Sequence, residues 1–202
     1  MINNKISNFI LNLDTRSVSE ERKKRLNILI SHIKFNLIKK TDTKLNFICT
    51  HNSRRSQFSQ IWSETFAYNF NYENIFSFSG GTEITEVNKG VINVLKKTGF
   101  NILQKSKSFN SRYIINFGEN NKNINIYSKL YSCDLNPNSE FIAIMNCDDA
   151  NLNCPFISGA SKKVFVPYND PKHSDNTNSE LLYYTKTNIE IATSMKYLYE
   201  NI

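Results

Sequence analysis

The chain has 202 residues, 40% of them hydrophobic, with four cysteines and a net charge of +7. That length can bury one sizeable core and favours a single domain over residues 1–202. It argues against fibrous, disordered and disulfide-stapled classes, because four cysteines are too few to staple a chain of this size. Met1 leads into Asn3, Asn4 and Lys5 with no apolar stretch, and the apolar runs at 28–30 and 141–145 are far short of the roughly 20 residues that cross a bilayer. The expectation is a cytoplasmic, reducing setting with free thiols, no membrane and no export. The basic charge could meet nucleic acid, an acidic surface or a phosphate-like substrate, or be a solvated face. The aromatics are scattered and not interleaved in one basic stripe, so no nucleic-acid partner is expected.

In chain order, Ser17-Val-Ser-Glu20 fits a capping box, and Leu26, Ile30, Ile33 and Leu37 recur at helical spacing. This predicts one amphipathic helix over 17–39, within an N-terminal extension of residues 1–44. Residues 45–49 (LNFIC) form a short apolar run that stops at a polar loop, 50–55. Phe58, Ile61, Trp62 and Phe66 then mark one face of a helix starting near Ser56. Residues 75–79 read as a second strand closed by Gly80-Gly81, and Val87, Val91, Val94 and Leu95 as a second helix ending at Gly99.

Over 109–131 the pattern changes to β-branched and aromatic alternation broken at 118–122, which predicts an inserted β-hairpin. Residues 141–146 and 163–166 are the third and fourth core strands. Thr177-Asn-Ser-Glu180 is a second capping box opening a last helix, with Ile191, Met195, Leu198 and Ile202 on one face. The fold class is therefore α/β, a four-stranded parallel sheet flanked by helices. Ligands in such sheets lie beyond the carboxyl ends of the strands, so the segments after Cys49, Cys147 and Pro167 are where chemistry is expected.

Cys49-Thr-His-Asn-Ser-Arg-Arg55-Ser56 is a C-x5-R-S stretch between a strand and a helix. Residues Thr50, His51, Asn52, Ser53, Arg54, Arg55 and Ser56 can wrap backbone N–H groups round a tetrahedral oxyanion at a helix N-terminus. Arg55 offers a planar fork to two anion oxygens. The same field favours a thiolate at Cys49, and the Ser56 hydroxyl can donate to that sulfur. The plainer alternative is a buried strand-end cysteine beside two solvated arginines.

Cys49 to Ser56, followed by Gln57, resembles the anion loop of the low-molecular-weight protein tyrosine phosphatases and of the thioredoxin-coupled arsenate reductases that share their fold. The likeness continues through Ser79-Gly-Gly-Thr-Glu83 and covers roughly residues 45–171. It implies strand order 2-1-3-4, with Cys49 as nucleophile, Arg55 as oxyanion clamp, Asn52 as the prop of the loop and Ser56 as thiolate stabiliser. His51 departs from the family's usual glycine, which tolerates positive φ, so the loop geometry is expected to differ there. Arg54 stands where a second cysteine is common.

Asp170-Pro171 resembles the dipeptide carrying the family's general acid, although such a pair alone is more often a turn. Lys172 and His173 follow it where phosphatases have aromatics. Cys147-Asp-Asp-Ala-Asn-Leu-Asn-Cys154-Pro155 resembles the redox segment of the arsenate reductases. The resemblance implies a relay in which Cys49 takes arsenate, Cys147 attacks Cys49, and Cys154 closes a Cys147–Cys154 disulfide that thioredoxin reduces. The polar residues between the two cysteines suit a mobile segment, and two buried inert cysteines are the alternative. No bound cofactor and no metal are expected. Cys133, Cys147, Cys154 and His173 could supply four zinc ligands, but no C-x2-C spacing supports that. Cys133 reads as structural. The leading reading is arsenate reduction. The runner-up is phosphoester hydrolysis through a phosphocysteine on the same Cys49, Arg55 and Asp170.

Overall fold

The computed structural model describes residues 1–118, 123–154 and 156–202. The tip of the expected hairpin, 119–122, and Pro155 of the Cys-Pro ending lie outside the described residues. The chain runs through α1 (Asn4–Leu11), α2 (Glu20–Ile38), β1 (Thr43–Cys49), α3 (Arg55–Asn69), β2 (Ile75–Gly81) and α4 (Lys89–Thr98). It continues through β3 (Asn101–Gln104), β4 (Tyr113–Asn116), β5 (Asn123–Ile126), β6 (Phe141–Met145), α5 (Asp148–Asn153), β7 (Ala160–Phe165) and α6 (Glu180–Glu200).

β1, β2, β6 and β7 form one parallel sheet in the order β2-β1-β6-β7, which is the expected 2-1-3-4 order of the core strands. Its two central strands, β1 and β6, are almost continuously buried, as strands covered on both faces must be. Leu45, Phe47, Ile142 and Ile144 pack into the larger core with α3 and α6. Ile48, Cys49, Phe141, Ala143 and Met145 belong to a smaller second core that also holds Cys147, Ala150 and Ile157.

The extension contains two helices, not one. Asn3 caps α1 through Oδ1, which accepts from Ile6 N at 3.0 Å, and Ile6 and Ile10 are buried. α2 begins after Ser19 and not at Ser17, because Asp14 Oδ1 accepts from Arg16 N and folds residues 15–17 into a separate 3-10 turn. α2 packs on α6 and β7, where Arg22 pairs with Glu190 and donates to the Pro167 carbonyl at 3.0 Å. The box at 177–180 is displaced as well: Glu180 Oε2 accepts from Asn176 N at 2.8 Å, and Ser179 makes no side-chain capping bond. The hairpin β4-β5 is present and gains a third antiparallel strand, β3. α4 ends at Gly99 with φ 119°, a conformation glycine adopts without strain.

Candidate active site

β1 delivers Cys49 to the carboxyl edge of the sheet, and the chain turns through residues 50–54 into α3. The turn needs one residue at positive φ. That residue is Asn52 (φ 46°), a type that tolerates the left-handed region, and not His51. The glycine-to-histidine departure therefore imposes no backbone strain. His51 instead sets its imidazole 3.5 Å from Glu83, while its carbonyl accepts from Thr85 Oγ1 (3.0 Å) and Ser128 Oγ (2.8 Å).

Neighbouring segments brace the loop. Asn52 Oδ1 accepts from Lys129 N at 3.0 Å, and Gln57 Nε2 donates to the Asn52 carbonyl (2.8 Å) and the Tyr127 carbonyl (3.1 Å). Thr82 N and Glu83 N both donate to the Thr50 carbonyl, at 2.8 and 2.9 Å. Gly81 makes this approach possible, because a Cβ there would lie 2.6 Å from Thr50 O and 2.8 Å from Asn52 N. The Ser79-Gly-Gly-Thr-Glu83 stretch is thus the wall against which the loop is moulded. Among the described residues, no protein acceptor takes the N–H of Ser53, Arg54, Arg55, Ser56 or Gln57, so five backbone donors are left for a ligand.

The sulfur of Cys49 is buried and lies 3.0 Å from Ser56 Oγ. Ser56 Oγ accepts from Asn52 Nδ2 at 2.9 Å, which leaves its own proton to point at the sulfur. Arg55, the first residue of α3, donates to the Tyr168 carbonyl at 3.2 Å and to Asp170 Oδ2 at 2.5 Å. Its Nε is buried with no acceptor among the described residues, a spare donor on the fork. The structure thus brings Asp170 to the clamp. Asp170 also opens a 3-10 turn over Pro171–Ser174, accepting from Lys172 N at 3.1 Å.

The Arg54 guanidinium does not share the fork role of Arg55. It pairs with Asp175, and its Nε donates to Tyr184 Oη at 2.5 Å, so two of its three side-chain nitrogens are already engaged. Tyr184 in turn donates to Asp175 Oδ1 at 2.7 Å. Burial works against the charge on Arg54, but Tyr184 and Asp175 outweigh it and hold the pKa above the usual arginine value. Burial first, and then the bond to Asp175, keeps Tyr184 protonated far above the ordinary tyrosine range.

Because β6 pairs with β1 in register, with Ile48 opposite Met145 and Asn146 N donating to the Ile48 carbonyl at 2.7 Å, Cys147 emerges beside the anion loop. Its sulfur lies 3.5 Å from Thr50 Oγ1. Cys49 and Cys147 share the small core, and Cys154 packs against it partly exposed. The intervening segment is helical and not an open loop: Cys147 Sγ caps α5 by accepting from Ala150 N at 3.4 Å. Lys163 Nζ closes the other end on the carbonyls of Asn151 and Cys154, at 2.9 and 2.8 Å. Among the described residues, no three His, Cys, Asp or Glu side chains are gathered so as to hold a metal ion, which leaves the zinc alternative unassembled. Nor is any described helix long and apolar enough to cross a membrane.

No family model matches the chain. An arsenate reductase of Staphylococcus aureus (strain Newman) is 29% identical over 132 residues, 65% of this chain and 80% of that protein. Arsenate reductase 2 of Staphylococcus epidermidis is 28% identical over 125 residues, 62% of this chain and 76% of that one. The similarity is to arsenate reductases. A solved structure described as Primo-1 superposes with a TM-score of 0.46 at 10% identity, covering 75% of this chain and 95% of its own, a likeness too slight to bear on function.

Sequence reasoning missed Asp175, Tyr184 and Lys129 as supports of the site. The only local hint at the first two was Arg54 itself, a charge in a loop that has to be buried.

Proposed function

We propose that the protein reduces arsenate by a thiol and disulfide relay. The observation that carries this reading is the gathering of Cys49, Cys147 and Cys154 at one small core, beside five free backbone donors and the Arg55 fork. Arsenate displaces the Asp170 carboxylate from Arg55 and sits on the loop. The Cys49 thiolate attacks arsenic of the incoming dihydrogen arsenate and an S–As bond forms, while one As–O bond breaks and its hydroxyl leaves as water, with a proton that Asp170 passes on from the bound oxyanion. Cys147 then attacks Cys49 Sγ: the S–S bond forms, the S–As bond breaks, and its electron pair stays on arsenic, which departs as arsenite. Cys154 attacks Cys147 and frees the Cys49 thiolate.

Cys147 and Cys154 stand at the two ends of α5, and seven residues of helix span about 10 Å between Cα atoms. A disulfide tolerates less than about 7 Å, so α5 must unwind and leave Lys163 during the third step. A dithiol protein of the thioredoxin class then returns two electrons to the Cys147–Cys154 bond. The setting this chemistry needs is a reducing cytoplasm.

The test is arsenite formation with thioredoxin, thioredoxin reductase and NADPH. Wild type is expected to turn over and Cys154→Ser to stall after about one equivalent. Absence of wild-type turnover, or unimpaired cycling of Cys154→Ser, would refute the reading. Phosphoester hydrolysis that persists without Cys147 and Cys154 and vanishes in Cys49→Ser would favour the phosphatase instead.

A further inference from the structure

β7 is an edge strand of the parallel sheet, so its outward carbonyls have no further strand to pair with. Val166 N and Tyr168 N donate inward, to the Met145 and Asn146 carbonyls at 2.9 and 3.2 Å, and the Val166 carbonyl accepts from Asn146 Nδ2 at 3.1 Å. The carbonyls of Phe165 and Pro167 alternate with these and face outward, where two arginines of α2, one turn apart, take them. Arg25 Nη1 donates to the Phe165 carbonyl at a long 3.4 Å, with its guanidinium 4.7 Å from the Phe165 ring. Arg22 Nη2 donates to the Pro167 carbonyl at 3.0 Å, with its guanidinium 4.5 Å from the Tyr168 ring. Pro167 brings no N–H to the edge, so the strand offers only an acceptor there, which a guanidinium matches. Arg22 is held in turn by Glu190 of α6.

The segment fixed in this way carries the anion clamp. The peptide joining Pro167 to Tyr168 is planar and pinned on both sides, its carbonyl by Arg22 and its N–H by Asn146. The next carbonyl, that of Tyr168, accepts from Arg55 Nη1 at 3.2 Å, and Asp170, two residues on, accepts from Arg55 Nη2 at 2.5 Å. Both anchors of the Arg55 fork therefore follow directly on the peptide that Arg22 orients. A fork that holds an oxyanion through two parallel bonds depends on its angle, and a misplacement of about 1 Å at a reacting site can cost as much as a hundredfold.

We propose that Arg22 is a positioning residue for the oxyanion site: through Pro167 and Tyr168 it sets the angle at which Arg55 meets the anion. Among the described residues it makes no hydrogen bond or ion pair with the loop itself, so it acts only through that segment. The inference rests on the reading of residues 50–56 as an oxyanion site, and not on which oxyanion is turned over. It gives the N-terminal extension a task in the site beyond covering the sheet. Arg25 is the natural control, because it caps the same edge of β7 from the same helix but meets the strand two residues further from the clamp.

The experiment is an amide NMR titration of the intact protein with inorganic phosphate. The Kd is read from the signals of folded chains alone, so a loss of stability does not enter it. Wild type is expected to bind with a Kd of about 1 mM, shifting the amides of residues 53–57. Arg22→Met, which keeps an apolar stem against Tyr168, is expected to raise the Kd about tenfold. Arg25→Met is expected to bind as wild type does. In the Arg55→Gln background, where the fork is gone, adding Arg22→Met is expected to change the Kd by less than about twofold. The proposal is overturned if Arg22→Met lowers stability but leaves the Kd unchanged, as a purely structural role would. It is equally overturned if Arg25→Met weakens binding as much, or if Arg22→Met still costs about tenfold without the Arg55 side chain. Failure of wild type to bind phosphate up to about 100 mM would refute the oxyanion site, and with it both this proposal and the arsenate reading. Phosphate binding with the expected pattern of variants, in a protein that turns over no arsenate, would refute the arsenate reading alone.

Discussion

Arg54→Ala probes how the anion loop is tied to the segment that carries Asp170. The substitution removes the ion pair with Asp175 and the 2.5 Å bond to Tyr184, while Asp175 keeps Tyr184 Oη at 2.7 Å and a long bond from Asn88 Nδ2 at 3.4 Å. The two side chains of the pair are 10% and 22% exposed, so it is mostly but not fully withdrawn from water. Breaking one partner of a buried pair typically costs about 3–5 kcal/mol. The two donors that Asp175 retains, and its partial exposure, place the expected loss at the bottom of that range, about 3 kcal/mol. Urea unfolding of wild type, Arg54→Ala, Asp175→Ala and the double variant measures it, with an expected coupling of about 2 kcal/mol. A loss below about 1 kcal/mol, the size seen for surface pairs, would refute the view that this triad clamps the loop to the 170–175 segment.

Ser56→Ala removes the hydroxyl 3.0 Å from Cys49 Sγ. Loss of a hydrogen bond to a charged group, about 1.5–3 kcal/mol, is expected to slow alkylation of Cys49 at neutral pH roughly ten- to a hundredfold. Unchanged alkylation would remove Ser56 from its assigned role. Lys129 gives a pH signature of stability. Its folded pKa of about 8 lies below the ordinary 10.5, so the unfolded chain binds more protons between those values and wild-type stability rises with pH across that window. Relative to Lys129→Met the gain is expected to reach about 3 kcal/mol. Tyr168 is pushed up to about 12 by burial, and Tyr184 and Tyr199 higher still. Folding therefore retains their protons above pH 10, and stability falls there in both proteins. Guanidinium unfolding at a series of pH values checks both slopes, and parallel curves for wild type and Lys129→Met between pH 8 and 10 would contradict the lysine assignment.

The strand, loop and helix around Cys49 were legible because each piece carried its own signal: an apolar run, a break in polarity, then helical periodicity. The parallel order was legible through the same alternation and through the family likeness. α1, β3 and α5 were not. α1 is eight residues with two buried, β3 has no buried residue, and α5 is six mostly polar residues anchored by Ala150, so none of them offered a period to detect. The displaced helix starts at Ser19 and Ser179 arose because Asp14 Oδ1 takes the N–H of Arg16 and Glu180 Oε2 takes the N–H of Asn176, a choice that the four-residue pattern does not encode. The pairing of Arg54 with Asp175 and Tyr184 joins residues over a hundred positions apart, which no local pattern reveals.

The central claim is that three cysteines act in sequence on one oxyanion. It is tested most directly by a single arsenate turnover without any reductant, followed by thiol-blocking and peptide mass spectrometry of the wild-type protein. The account predicts one arsenite per chain, a Cys147–Cys154 disulfide, and Cys49 and Cys133 recovered as free thiols. Arsenite formed with all four thiols still free, or a disulfide that leaves out Cys147, would contradict it.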